Sequence, residues 1–159
     1  MTESRSRQRR NCATIFFATN GGLGYAPIAP GTFGTLAGIP AFYYLSCLPG
    51  LLQFVVLVAV IALSVLICQG AGSYFGEADD GRIVIDELAG YLVTVAFLPF
   101  SWGTAILAFF WFRLFDIVKP PPIGHIDRNY KNGVGVTFDD IMAGVYAAMA
   151  VRLCLALFS

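Results

Sequence analysis

Charged residues are scarce in this sequence, and so are histidines and paired cysteines. Only 13% of the 159 residues are charged and 57% are hydrophobic, whereas soluble domains carry about 25% charged residues. This composition favours a small integral membrane protein. His125 is the only histidine, which excludes a three-histidine zinc site and the two-histidine site of acid phosphatases. The four cysteines are isolated, without a C-x-x-C pair, and indicate neither a zinc site nor a disulfide framework.

Two further absences argue against particular classes of phosphatase. No cysteine has an arginine six residues after it, which excludes a cysteine phosphatase. No Asp-x-Asp motif occurs, which argues against an aspartyl-phosphate phosphatase. Internal repeats and low-complexity tracts are also missing. The length suits one domain, and residues 1–159 are predicted to form a single membrane domain.

The predicted helices come from four apolar stretches. A straight crossing of a bilayer needs about 20 residues, and only the second and third stretches approach that length. The pattern therefore predicts an all-α fold, a compact polytopic helical membrane bundle with short or re-entrant helices. The stretches cover residues 36–48, 51–68, 88–112 and 141–158.

The third stretch is interrupted by the turn-like sequence 99–103, which begins with proline and ends with glycine. Residues 88–98 and 102–112 are therefore predicted to fold back as a pair. Another helix is expected over 32–48, because proline and glycine follow it, and a further one over 51–75.

Residues 1–11 form a basic tail that contains four arginines and one glutamate. The positive-inside rule places this tail in the cytoplasm. Two crossings then return the chain to the cytoplasmic side at 77–87, and the hairpin brings 113–140 back to that side. A single active site facing the cytoplasm can therefore draw on both segments.

Nine of the ten carboxylates lie between Glu77 and Asp140. Ionisable groups near a bilayer are costly unless they face a cavity, a partner charge or a metal, so they are candidates for function. Asp86 and Glu87 precede the apolar body of a helix, and Asp86 shares a face with Gly90, whose small size lets another helix approach. One acid could bind a metal while the other acts as base. Helix capping is the structural alternative.

A second group consists of Arg113, Asp116 and Lys119, which follow one another at intervals of three before a triple proline ends the helix. A carboxylate flanked by two cations suits a metal and a phosphate that meet there, because guanidinium binds phosphate bidentately. Intrahelical salt bridges explain the same spacing equally well.

Three more aspartates flank a predicted glycine-containing loop at 132–135. Asp127 precedes the loop, and Asp139 and Asp140 are expected to open the final helix. Capping would account for one of these two adjacent acids, though not necessarily for both.

The segment APGTFGT places Thr32 and Thr35 at the start of a helix, where backbone N–H groups can bind an anion. Close helix packing through Gly34 and Gly38 is the alternative explanation of the glycines. The two explanations are compatible, because one uses the loop and the other the helix.

Oxygen donors are the only metal ligands present in number. Carboxylate sites of this kind select Mg²⁺ or Mn²⁺. With Arg82, Arg113 and Lys119 in the same segments, they indicate a phosphorylated substrate at the cytoplasmic membrane surface.

Four blocks stand in order along nearly the whole chain: Gly24 with APGTFGTLAG (29–38), Asp79 with IVIDELAG (83–90), FRLFDIVKPPPI (112–123), and Asp127 with GVGVTFDDIMAG (133–144). Together they closely resemble the phosphatidylglycerophosphatase A family. The resemblance implies an all-helical, Mg²⁺-dependent lipid phosphatase of the bacterial inner membrane. Such an enzyme removes the terminal phosphate of phosphatidylglycerophosphate to give phosphatidylglycerol. Asp80 departs from the family, in which proline or histidine is common at this position, so Asp79 is favoured over it.

The resulting site hypothesis has one or two Mg²⁺ ions that activate a water, with cations offsetting charge on the phosphoryl group. Which acid serves as base stays open. The predicted catalytic residues are Asp79, Asp86, Glu87, Asp116, Asp139 and Asp140. The predicted metal ligands are Asp79, Asp86, Glu87 and Asp116. The predicted substrate-binding residues are Thr32, Thr35, Arg113, Lys119 and Asp127.

The main alternative is a small membrane transporter or cation channel with an acidic ion path. It would not need Arg113 and Lys119 beside the acids, and the carboxylates gather at segment ends, which favours surface chemistry. A lipid-phosphate-binding or scaffold protein without turnover is a third hypothesis. No nucleic-acid partner is expected, and the oligomeric state is left open.

Overall fold

The computed structural model describes residues 11–158, apart from the side chains of 126–128 and 158. Among these residues there is no strand, so the predicted all-α fold is confirmed. Residues 11–18 form a helix, here α1, and a 3₁₀ turn follows at Leu23–Tyr25. The remaining helices are α2 (Pro30–Ser46), α3 (Gly50–Phe75), α4 (Ile85–Thr94), α5 (Trp102–Val118), α6 (Ile123–Asn129) and α7 (Gly133–Phe158).

Helices α3 and α7 are long and apolar enough to cross a bilayer. Only 22% of the most apolar window of α3 and 28% of that of α7 are buried inside the protein. A core helix of a soluble protein would bury most of such a surface. The large exposed side chains of α3, among them Leu51, Phe54 and Leu66, therefore suit contact with lipid.

The short helix α4 lies at the centre of the bundle, in contact with α2, α3, α5 and α7. Its ten residues extend over about 15 Å, half the thickness of the hydrocarbon layer. The chain then turns and α5 begins after Ser101, whose hydroxyl accepts a hydrogen bond from the Thr104 N–H at 3.0 Å. The predicted pair of short helices within 88–112 is thus present, although α5 continues to Val118.

Helix α2 packs against α4 through glycines on one face. A side chain at Gly34 would meet Val84 at 2.6 Å, and one at Gly38 would collide with the Tyr91 ring. The close packing predicted through these two glycines is therefore present. Tyr91 in turn donates a hydrogen bond to the Ala105 carbonyl at 3.0 Å, which links α4 to α5.

Helix α7 begins earlier than the sequence pattern predicted. Its first residue is Gly133, and the Asn132 side chain accepts from the Gly135 N–H at 2.9 Å, as a capping residue does. The predicted loop at 132–135 and the predicted helix start at Asp139 and Asp140 are wrong. Both acids lie in the second turn of α7, where capping cannot account for them.

The far end of α4, beyond Thr94, is held by side chains of the two long helices. Arg152 of α7 donates to the Ala96 carbonyl at 2.6 Å. Gln53 of α3 accepts from the Phe97 N–H at 3.1 Å and donates to the Leu48 carbonyl at 2.9 Å. Backbone groups exposed by the end of a helix inside a bilayer need such partners, because no water is available there.

Candidate active site

Three carboxylates meet at the start of α4. Asp86 and Glu87 come from its first turn and Asp140 from the second turn of α7. One carboxylate oxygen of each lies within 4.8 Å of the other two. Asp86 and Asp140 are only 4% and 5% exposed. These three residues are called the acidic cluster below.

A close contact between α4 and α7 brings the cluster together. A side chain at Gly90 would meet the Asp140 carbonyl oxygen at 2.6 Å, so only glycine allows this approach. Thr94 reinforces the crossing by donating to the carbonyls of Gly90 at 3.1 Å or Gly144 at 3.3 Å. The approach predicted at Gly90 is thus present, and α7 is the helix that makes it.

Two ion pairs lie beside the acidic cluster. Arg113 pairs with Asp116 one turn later in α5, and Lys119 pairs with Asp139 of α7 at 2.6 Å. The three residues expected on one face of α5 therefore belong to two separate pairs. Lys119 follows the last residue of α5 in a left-handed conformation, with φ at 45°, and so reaches α7.

Burial and mutual repulsion make the ionised state of the cluster costly. The pKa of Asp86 is raised to about 6, chiefly by burial; a hydrogen bond with Glu87 opposes this rise, and the charge of Asp139 contributes to it. The pKa of Glu87 is raised well above its usual range, first by burial, then by the charge of Asp86 and that of Asp116. Arg113 opposes this rise. Such a group of acids favours a bound cation.

Two buried polar atoms beside the cluster lack a hydrogen-bond partner among the described residues: Glu87 Oε2, an acceptor, and Arg113 Nε, a donor. The two side chains meet the same residue of α2. A side chain at Gly31 would collide with Glu87 Oε1 and lie 3.1 Å from Arg113 Nη1. Buried polar groups are rarely left unpaired, so an unpaired acceptor and an unpaired donor on two side chains that approach the same glycine fit a site that binds a cation and an anion together.

The donor set itself fits a hard divalent cation. Three carboxylates in one small volume are ligands that suit Mg²⁺ or Mn²⁺. Asp116 and Asp139 have cationic partners, whereas no ion pair to a member of the cluster occurs in the described part of the chain. A divalent ion would balance this excess of negative charge.

The structure does not bring every predicted residue to the cluster. Of the four predicted metal ligands, Asp86 and Glu87 belong to the cluster, whereas Asp79, exposed in the turn before α4, and Asp116 do not. Asp140, predicted as a catalytic residue, is the third member. The Asp127 side chain is outside the described residues. Thr35 donates to the Gly31 carbonyl at 2.9 Å, and the Thr32 N–H bonds to the Ala29 carbonyl at 2.9 Å. The catalytic, metal and substrate roles stay predictions.

Sequence reasoning missed the part played by Gly31. The residue was visible only as one of several glycines in a segment assigned to anion binding or packing. Its spacing of three from Gly34 and seven from Gly38 is the available signal, because these positions share one helical face. That face contacts α4 along its length and ends at Glu87.

The fold and the site together define a helical membrane protein with a buried carboxylate centre, flanked by two ion pairs, at one end of its bundle. The model of the family Phosphatidylglycerophosphatase A matches residues 16–155, and the chain belongs to this family. The predicted resemblance is therefore confirmed.

Named relatives agree with this assignment. The chain is 38% identical to phosphatidylglycerophosphatase A of Escherichia coli K12 over 91% of its own length and 85% of the relative. It is 39% identical to the protein of the same name from Haemophilus influenzae, over 82% and 81%. It is also 35% identical, over 92% and 96%, to a Bacteroides thetaiotaomicron protein named "Putative phosphatidylinositol-3-phosphatase". No solved structure matches the chain.

Proposed function

We propose that this protein hydrolyses the terminal phosphate of phosphatidylglycerophosphate to give phosphatidylglycerol, a step of phospholipid biosynthesis, and that the reaction depends on Mg²⁺. Family membership over most of the chain supports the reaction. The observation that carries the metal-dependent site is the unpaired Glu87 Oε2 and the unpaired Arg113 Nε on two side chains that both approach Gly31, because a metal would offer a partner to the first and its phosphate ligand a partner to the second.

In this proposal Asp86, Glu87 and Asp140 would hold the metal. When bound, Mg²⁺ would offset phosphate charge and lower the pKa of a water. Arg113 donates from Nε to a phosphoryl oxygen, while its pair with Asp116 fixes the guanidinium. Lys119, oriented by Asp139 at 2.6 Å, adds positive charge where negative charge develops.

The reaction is a hydrolysis of a phosphate monoester. A water oxygen forms a bond to phosphorus, and the bond between phosphorus and the glycerol oxygen breaks. A carboxylate of the acidic cluster accepts the proton of the water, and the leaving oxygen takes up a proton to become the free hydroxyl of phosphatidylglycerol. The other product is inorganic phosphate.

We place the protein in the bacterial inner membrane as a multi-pass protein with its active site facing the cytoplasm. Helix α1 lies at the same end as the acidic cluster, since the Ala18 carbonyl accepts from the Val84 N–H at 2.8 Å. The arginine-rich tail that precedes α1 favours the cytoplasm. The predicted alternative of a channel finds less support, because the clustered acids lie at one end of the bundle.

Native cysteines test this orientation. Cys12 lies in α1 and Cys47 at the opposite end of α2, and both are exposed. In spheroplasts, which lack a continuous outer membrane but keep the inner membrane intact, a membrane-impermeant maleimide should label a variant that retains only Cys47. A variant that retains only Cys12 should react after lysis alone. Labelling of Cys12 in intact spheroplasts would contradict the orientation.

Activity is tested by phosphate release in detergent micelles, with and without Mg²⁺. Wild-type protein should hydrolyse phosphatidylglycerophosphate only with the metal, and Asp86→Asn should be slower by at least about a hundredfold. Glu77→Gln, which neutralises an exposed acid of the same segment, is the matched control. Phosphatidylinositol 3-phosphate serves as the competing substrate. Metal-independent turnover, or preference for the inositol lipid, would contradict the proposal.

A further inference from the structure

A cavity lies near the acidic cluster, between the segment after α1 and the loop before α4. Its volume is about 330 Å³. Pro30 belongs to its wall and directly precedes Gly31, the residue that touches Glu87 and Arg113. Tyr25, Asp80 and Arg82 also line it. It is called the Arg82 cavity below.

Arg82 is held in a defined orientation in this cavity. Asp80 accepts from its Nε at 2.7 Å and from its Nη2 at 2.6 Å, and also from the Arg82 backbone N–H at 3.0 Å. The guanidinium lies 3.9 Å from the centre of the Phe75 ring, a cation–π contact. The loop and the end of α3 thus fix the cation from two sides.

Part of the guanidinium remains available to a ligand. Asp80 occupies the edge formed by Nε and Nη2, and no described residue accepts from Nη1. The side chain of Arg82 is 43% exposed. A guanidinium fixed along one edge loses little further freedom when its other amino group binds an anion.

The Arg82 cavity opens where the protein surface is apolar. Tyr25 is an exposed part of its wall, and Ile28, three residues further on, is 78% exposed. Leu23 is exposed on the same segment. Exposed apolar side chains beside a cavity with an available guanidinium donor fit a ligand that has an anionic head and an apolar tail.

We propose that the Arg82 cavity binds the phosphodiester of the lipid substrate, the phosphate that is not cleaved, and that Arg82 is a specificity-determining residue. The inference rests on the proposed function, because phosphatidylglycerophosphate carries two phosphates joined by one glycerol. The terminal monoester reaches the acidic cluster and Arg113, the glycerol passes Pro30 and Gly31, and the phosphodiester accepts from Arg82. A lipid with a terminal phosphate but no phosphodiester gains nothing from this contact.

The kinetic test compares two lipids in mixed micelles: phosphatidylglycerophosphate, and phosphatidic acid, which has a monoester only. Arg82→Gln should raise KM for phosphatidylglycerophosphate about tenfold, the loss expected for one partly exposed charge-assisted hydrogen bond, and leave kcat unchanged. Kinetics on phosphatidic acid should not change. Lys131→Gln removes an exposed cation outside the cavity and should leave both lipids unaffected. An equal loss on both lipids, or no loss on either, would overturn the proposal.

A binding measurement separates this inference from the proposed activity. Calorimetry with short-chain phosphatidylglycerol, which retains the phosphodiester and lacks the terminal phosphate, needs no turnover. Arg82→Gln should bind this lipid about tenfold more weakly than wild type, while inorganic phosphate, measured with Mg²⁺ and directed to the metal and Arg113, should bind equally to both. Unchanged lipid binding would refute the role of Arg82 even if the enzyme is active. An inactive wild type whose lipid binding depends on Arg82 would instead refute the proposed reaction alone.

Discussion

The two ends of α4 differ in whether their polar atoms have hydrogen-bond partners. At its end beyond Thr94, the backbone groups of Ala96 and Phe97 bond to Arg152 and Gln53. At its start, Glu87 Oε2 has no hydrogen-bond partner among the described residues, and three carboxylates share a small volume. Helix α7 contributes a side chain at both ends, Asp140 at the start and Arg152 beyond Thr94. The paired end suits a structural anchor, and the unpaired end suits a ligand.

The largest effect on kcat is expected from a substitution in the acidic cluster. Glu87→Gln keeps the size of the side chain and removes its charge, so Mg²⁺-dependent kcat should fall by roughly a hundredfold or more. Phosphate release at saturating lipid measures this. Thermal stability without metal should not fall, because one repelling charge is removed. A variant with near wild-type kcat would show that the cluster is not the reacting centre.

Gly31→Ala should have the next largest effect. Its side chain would collide with Glu87 and crowd Arg113, and displacement of reacting groups by about 1 Å lowers rates by as much as a hundredfold. Gly50→Ala is the matched control, since a side chain at Gly50 meets no atom of the described residues within 4 Å. Steady-state kinetics of the two variants provide the comparison. Equal activity in both would mean that α2 does not position the site.

A substitution at the end of α4 beyond Thr94 should lower the stability of the protein more than it lowers kcat. Arg152→Leu leaves the Ala96 carbonyl without its donor, which should lower the free energy of unfolding in detergent by about 1–3 kcal/mol. Arg152→Lys retains one donor and should recover part of the loss. At temperatures where the variants are folded, kcat should stay close to wild type. A large loss of kcat in Arg152→Leu protein that is stably folded would contradict a purely structural role for this end of α4.

The smallest expected effect is a pH dependence of the metal-free protein. The folded-state pKa of Asp86 is raised to about 6 and that of Glu87 is raised too, whereas unfolded carboxyl groups titrate near pH 4. The folded state therefore binds more protons, and its stability should fall as pH rises from about 4 through 6. Melting curves in chelator test this. Mg²⁺ should reduce the fall, and a rise in stability over this range would contradict it.

Much of the fold could be predicted from local sequence signals. The break at 99–103 separates two short helices, and Gly34, Gly38 and Gly90 mark the close helix contacts that the structure contains. The start of α7 was missed because Asn132, which caps it, was assigned to a loop with its neighbouring glycines.

The residues that form the acidic cluster were harder to predict, because they come together only where two helices cross. Asp86 and Glu87 are neighbours in the sequence, but Asp140 lies near them only because α4 and α7 approach closely at Gly90. Asp79, which is close in sequence, remains in an exposed turn. The part played by Arg152 also depends on contact between distant segments, and only its unusual place in an apolar helix gave a signal.

Direct binding of Mn²⁺, a spectroscopic substitute for Mg²⁺ at oxygen sites, tests the central claim that the acidic cluster holds the metal. Electron paramagnetic resonance of purified protein counts bound ions in wild type, Asp140→Asn and Asp79→Asn. Saturable binding is expected in wild type and Asp79→Asn, and it should be lost or strongly weakened in Asp140→Asn. Retained binding in Asp140→Asn together with loss in Asp79→Asn would contradict the claim.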